Sequence, residues 1–215
     1  GEYFDVFRKT SIHDWHVENK AKFENVGQWK RAWFYPKENE GMHEAVQRES
    51  KAARDSAGIL DASTLGKIDI QGTDASEFLN RVYTNAWSKL AIGKCRYGLM
   101  LNEDGMVYDD GVTTRLDENH YIMTTTTGGA ATVLGKLEDY LQTEWPELDV
   151  YLTSVTDHYA TISVCGPNSK KIISKVIPEI DLSDEKFPHM SFKNTKIGKV
   201  KCRLMRISFT GEQSY

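Results

Sequence analysis

The chain has 215 residues, 40% hydrophobic and 11% aromatic, enough to bury a core in one large domain or two small ones. Its 27 basic and 31 acidic residues leave a formal charge of -4, so the basic stripe that a polyanion needs is missing and a nucleic-acid partner is not expected. No apolar run reaches the roughly 20 residues of a membrane span, and the N-terminal stretch is polar and mixed in charge, unlike a secretory leader, so a soluble cytoplasmic protein is expected.

Residues 1–40 hold Trp15, Trp29, Trp33, Phe34, Tyr35 and Pro36 at no steady period, which predicts an irregular aromatic arm packed on a neighbouring surface. The remainder, 41–215, is expected to form one domain. Met42 to Ala57 is rich in Ala, Glu, Gln, Arg and Lys and is followed by Gly58, predicting a helix with a glycine cap. Leu65 to Gly72 alternates Ile68 and Ile70 with Lys67, Asp69 and Gln71, the period of a half-buried strand. Thr73 then caps a helix to Tyr83 whose buried stripe is Phe78, Leu79 and Val82.

Arg96 to Leu101 and Met106 to Leu116 read as two strands joined by Asn102-Glu103-Asp104-Gly105, a hairpin turn. A strand at Tyr121 to Thr125, a Gly128-Gly129 turn, a helix from Ala130 to Gln142 and a stop at Trp145-Pro146 follow. Next come a strand (Tyr159 to Val164), a helix (Ser169 to Val176) and a hairpin over 192–210 turning at Lys196 to Lys199. Together these give an α+β fold with mostly antiparallel sheets and interspersed helices. The chain opens on Gly1 rather than Met and stops soon after a Gly-Glu turn, which reads as a piece of something longer.

Strand alternation separates the adjacent acids Asp109 and Asp110. Met106, Tyr108, Asp110, Val112, Thr114 and Leu116 share one face, so Asp110 is expected on the more apolar side and Asp109, beside Arg115, in a surface pair. A carboxylate on an apolar face is costly unless bonded and tends toward a raised pKa, which suits proton exchange near neutral pH. The plainer alternative is that Asp110 caps a turn or pairs with an arginine such as Arg96. Thr124 to Gly129 before a helix imitates a phosphate loop but lacks the lysine and spacing, and is taken as a strand-to-helix turn. The six histidines form no metal-binding ladder and show no carboxylate partner, so they are read as surface or packing residues. Cys95, Cys165 and Cys202 are expected to be reduced and packed. Ser63, Ser163 and Ser191 lack the GxSxG context of a hydrolase nucleophile, and Cys165 before Gly-Pro is read in a strand without an obvious base.

Four segments in order, Gly58 to Gly72, Tyr97 to Asp110, Cys165-Gly166-Pro167 and Arg206 to Glu212, together resemble the folate-binding aminomethyltransferase family, which includes the glycine cleavage T-protein. Gly27 to Trp33, Asp109 to Arg115, Thr124 to Ala130 and Gln142 to Leu148 are similar to its sarcosine oxidase alpha branch, in the C-terminal half of that subunit. The resemblance implies that Asp110 lies beside the folate nitrogens that receive a one-carbon unit, that Glu212 recognises the pterin, and that Tyr97 and Leu65 line the pterin slot. It also implies tetrahydrofolate as cofactor, a small methylamine-derived donor such as sarcosine, 5,10-methylenetetrahydrofolate as product, further subunits of a sarcosine oxidase-like complex, and a flavin held by another subunit. Core packing of Tyr97 and Leu65, or a non-catalytic folate-binding or assembly module, are the alternatives. In the family the pattern past Glu212 continues into a glycine, a tyrosine and an acid, whereas here Gln213-Ser214 intervene before Tyr215.

Overall fold

A computed structural model describes residues 5–215, which divide into two compact units: residues 5–64 with Ala160–Tyr215, and Leu65–Tyr159. The breaks fall at 64/65 and 159/160, so the 41–215 stretch is shared between the units and residues 5–40 belong wholly to the first.

The first unit opens with a small sheet instead of an irregular arm. Strands β1 (Arg8–Lys9), β2 (Lys22–Val26) and β3 (Trp29–Phe34) pair in the order β1-β3-β2, with helix α1 (His13–Glu18) between β1 and β2. Gly27 takes φ 56° at the β2–β3 turn, a conformation that glycine adopts without a Cβ clash. Trp29 and Phe34 are buried, and the Arg8 guanidinium lies 4.1 Å from the Trp29 ring centre. The aromatics show no single period because they are spread over α1, β3 and the residues after it, and the β2–β3 pairing is itself interrupted by a bulge at Lys22/Phe23.

Helix α2 (Met42–Asp55) matches its expected span, but Gly58 does not cap it: Ser56 ends the helix and Gly58 begins β4 (Gly58–Asp61). β4 pairs antiparallel with β10 (Ile162–Cys165). Helix α5 (Ser169–Val176) and the hairpin β11 (Ser191–Ile197) with β12 (Val200–Arg206) complete the unit around Ile173, Ile177, Leu182, Phe187, Leu204 and Tyr215.

The second unit is a five-stranded sheet in the order β6-β7-β8-β5-β9, every neighbouring pair antiparallel. Its strands are β5 (Gly66–Gln71), β6 (Cys95–Leu101), β7 (Val107–Asp117), β8 (His120–Thr125) and β9 (Tyr151–Ser154); the last was not foreseen. Helices α3 (Ala75–Val82) and α4 (Ala130–Asp139) cover one sheet face, packing Phe78, Leu79, Val82, Val133 and Leu137 onto Ile68, Ile70, Met100, Tyr121 and Met123. The stripe on α3 is the one its sequence period indicated. Thr73 does not cap that helix through its side chain; its amide and hydroxyl donate to Asp149 at 3.2 and 2.9 Å. All three cysteines are free thiols, and no described helix is long and apolar enough to cross a membrane.

Candidate functional site

The geometry around the two aspartates begins with the β6–β7 register. Leu99 faces Asp110, Met100 faces Asp109, and the next pair is Leu101 with Val107, so Tyr108 is an extra residue in β7. Such a bulge turns two consecutive side chains the same way. Tyr108 packs against the helix-covered core with Lys136 Nζ 4.5 Å from its ring centre, and Asp109 shares the face of the buried Met100.

This reverses the expected roles of the pair. Asp109, only 4% exposed, is the acid in the covered core, while Asp110 is half-buried on the opposite face. Asp109 makes no pair with Arg115, whose guanidinium donates to the carbonyls of Leu90 and Glu118 at 2.8 and 2.7 Å. Thr126 instead donates to Asp109, through Oγ1 to Oδ1 at 2.6 Å and through its amide to both oxygens at 3.3 Å. Burial pushes the Asp109 carboxyl up from its ordinary value, against the pull of the Thr126 bonds. Alternation misassigned the faces because the bulge breaks the two-residue period between Tyr108 and Asp109.

On the other face, Tyr97 stands opposite Val112 and Asp110 opposite Leu99, which makes Tyr97 and Asp110 diagonal neighbours. The Tyr97 hydroxyl donates to Asp110 Oδ2 at 2.7 Å, and this bond, more than burial, raises the Tyr97 phenol. Tyr97 is 48% exposed and so is not a core residue. Arg96 is not the partner of Asp110; its guanidinium donates to the Ala86 carbonyl. Leu65 is half-buried immediately before β5, and its carbonyl accepts Lys67 Nζ at 2.9 Å.

Glu212 lies in the first unit, in the turn after β12, where Gly211 has φ 84°. Arg54 of α2 donates to Glu212 Oε1 at 2.7 Å, a contact no sequence spacing announced. Two clefts, of about 370 Å³ beside Tyr151 and about 330 Å³ beside Trp145, include none of Asp110, Tyr97, Leu65 or Glu212.

Two histidines do have carboxylate partners, contrary to the sequence reading: His16 Nε2 lies 2.8 Å from Asp61 Oδ2, and His120 Nε2 lies 2.6 Å from Asp69 Oδ2. Both partners are remote in sequence, which is why spacing did not reveal them. Thr124 to Gly129 is, as expected, the turn from β8 into α4. Among the described residues no group of three or more His, Cys, Asp or Glu is arranged to hold a metal ion.

Antiparallel sheets flanked by helices, with an aspartate and a tyrosine joined on one sheet face, define an α+β fold of the aminomethyltransferase type. The GCVT N-terminal domain model matches residues 12–215, and the chain belongs to that family. It is 55% identical to sarcosine oxidase subunit alpha of Corynebacterium sp. (strain U-96) and 47% identical to that of Rhizobium meliloti (strain 1021), in both cases over 100% of this chain and 22% of the relative. The aminomethyltransferase of Chlorobium phaeovibrioides (strain DSM 265 / 1930) is 30% identical over 95% of this chain and 53% of its own. The chain therefore spans about a fifth of the alpha-subunit relatives and about half of the aminomethyltransferase. The crystal structure of glycine cleavage system aminomethyltransferase T from Bartonella henselae superimposes with a TM-score of 0.78 over 96% of this chain and 52% of that one, at 22% identity, a match of fold.

Proposed function

We propose that the chain forms part of a tetrahydrofolate-dependent one-carbon transferase, in which Asp110 is the catalytic carboxylate. The observation that carries this reading is the Tyr97–Asp110 hydrogen bond on the sheet face away from α3 and α4. Membership in the GCVT family and 55% identity to a sarcosine oxidase alpha subunit support it.

The residues suit the cofactor. A pterin presents an exocyclic amine and a neighbouring ring N–H as a two-donor edge, which matches the two oxygens of a carboxylate. Glu212 supplies those oxygens, and Arg54, donating to Oε1, orients the carboxylate while leaving further lone pairs for a ligand. Tyr97 and Leu65 offer an aromatic and an aliphatic surface for a planar ring. Tetrahydrofolate, when bound, supplies the nucleophilic nitrogens that take up a one-carbon unit.

What the chain does is hold and move charge. Tyr97 donates to Asp110 Oδ2, which fixes the carboxylate's rotation and leaves Oδ1 turned to accept a proton or to favour developing positive charge on a nearby amine. A methylamine-derived unit from a sarcosine-like donor is the substrate class, and 5,10-methylenetetrahydrofolate the product. Any flavin that generates such a unit is assigned to another subunit of a sarcosine oxidase-like complex, in the cytoplasm.

The test compares wild type with Asp110→Asn in the intact subunit, measuring tetrahydrofolate affinity by calorimetry and folate-coupled product formation. Asp110→Asn is expected to lower the coupled rate by about 10²- to 10⁴-fold. An unchanged coupled rate removes Asp110 from the chemistry; folate that binds without accelerating any turnover makes the domain a binding module.

A further inference from the structure

We infer that Asp109 is a positioning residue: its carboxylate clips the turn after β8 onto β7 at the bulge, and the clip decides which of two adjacent aspartates stands beside Tyr97. Its consequence for ligand binding rests on the reading of Asp110 given above.

The two aspartates are chemically identical, so nothing in their side chains chooses between the faces. The register chooses. Beyond the bulge the pairing is Leu101 with Val107; before it, Met100 with Asp109 and Leu99 with Asp110. If the outer register ran inward by three more pairs, Tyr108 would face Met100, Asp109 would face Leu99, and Asp110 would face Gly98. Asp109 would then occupy the Tyr97 face and Asp110 would enter the helix-covered core. A one-residue slip of this kind exchanges faces without breaking the ladder, and bulges are where such slips have the least resistance.

Thr126 provides the discrimination. Its hydroxyl lies 2.6 Å from Asp109 Oδ1 and its amide 3.3 Å from both oxygens, bonds that the buried carboxylate makes in the observed register beside one from the Asp110 amide. The notch is tight. A Cβ at Gly129 would stand 2.7 Å from Thr126 Oγ1 and 3.2 Å from Asp109 Oδ1, leaving no room for a larger residue at the head of α4. A charge placed there without these donors would be strongly disfavoured. Tyr108, the extra residue itself, is held against the same core with Lys136 Nζ 4.5 Å from its ring centre.

The Tyr97 phenol reports the outcome, because its ionisation is raised by a carboxylate bonded to it. NMR of ring-labelled tyrosine, assigned with Tyr97→Phe, follows that titration in the intact subunit. In Asp110→Asn, with the clip intact, Tyr97 should ionise at lower pH than in wild type. Adding Thr126→Val releases the register, lets the neutral amide at position 110 enter the core and brings Asp109 beside Tyr97, so the phenol should rise again; adding Thr126→Ser instead should keep it low. A Tyr97 titration that stays at the Asp110→Asn position in the Thr126→Val double variant overturns the inference. Should Thr126→Val not fold, Gly129→Ala in the same background wedges the same notch, and an unmoved Tyr97 there is equally fatal. Thr126→Val alone should weaken tetrahydrofolate binding by about tenfold or more, the loss of one good contact. If Tyr97 responds as described while folate affinity stays at the wild-type value, the register device stands and the folate reading of Asp110 falls.

Discussion

His16 and Asp61, 45 residues apart, form a hydrogen-bonded contact of 2.8 Å in which both side chains are almost inaccessible, 3% and 4% exposed. The contact joins α1 to the end of β4, and Tyr35 closes it by meeting His16 Nδ1 at 2.6 Å. Burial pushes the Asp61 carboxyl up, but bonds from His16, Ser63 and Thr10 outweigh it and hold the group below its ordinary value. A depressed carboxyl stabilises the fold above its unfolded pKa of about 4 and loses that contribution as pH falls through the folded value. Asp61→Ala should therefore lower stability at pH 7 by about 3 kcal/mol, because it strands buried partners. Thermal melts at pH 7 and pH 3 check this: the gap between variant and wild type should narrow in acid, and an equal gap at both would exclude the linkage.

Asp109 has the opposite sign. Its acid is raised chiefly by burial, so ionisation costs stability in the folded state as pH climbs from about 4 through the raised folded value. Asp109→Asn keeps an oxygen for Thr126 Oγ1 and removes the charge. It should stabilise the second unit at pH 8, and the advantage should vanish below pH 4. Chemical denaturation at the two pH values measures the difference.

Two glycines of the β6–β7 hairpin should differ in tolerance. A Cβ at Gly98 would meet the Trp87 ring at 2.5 Å, whereas a Cβ at Gly111 would meet the Thr124 backbone carbonyl at 1.9 Å. A ring edge can tilt, but a carbonyl in a paired strand cannot move without breaking its ladder. Gly98→Ala should cost about 1–3 kcal/mol, and Gly111→Ala should cost more, to the point of poor folding. Comparable melting temperatures for the two variants would contradict this.

Arg54→Ala separates stability from binding at Glu212. The Arg54 side chain is 72% exposed, so losing its 2.7 Å contact should change stability by no more than about 1 kcal/mol. Tetrahydrofolate affinity, if Glu212 grips the pterin, should fall severalfold, since the carboxylate loses the cation that orients it. Calorimetric titration alongside a thermal melt resolves the two effects.

Much of this molecule follows from local chemistry. The Asn102 to Gly105 turn, with Gly105 at φ 80°, makes the β6–β7 hairpin inevitable wherever two alternating segments flank it. Phe78, Leu79 and Val82 fall on one side of α3 because a 3.6-residue period leaves no other choice. Tyr97 and Asp110 were legible as candidates from their motif, and the hairpin does bring them to 2.7 Å.

Other features required the chain to fold first. Strand β9, at 151–154, has no alternation of its own and exists because β5 offers it an edge. The His16–Asp61 pair and the Arg54–Glu212 contact join residues 45 and 158 positions apart, beyond the reach of any spacing rule. Local pattern fixed that two aspartates sit side by side in a strand. Which one is buried was settled by a single extra residue, Tyr108, and by a threonine 17 positions downstream, because alternation holds only while the register is unbroken.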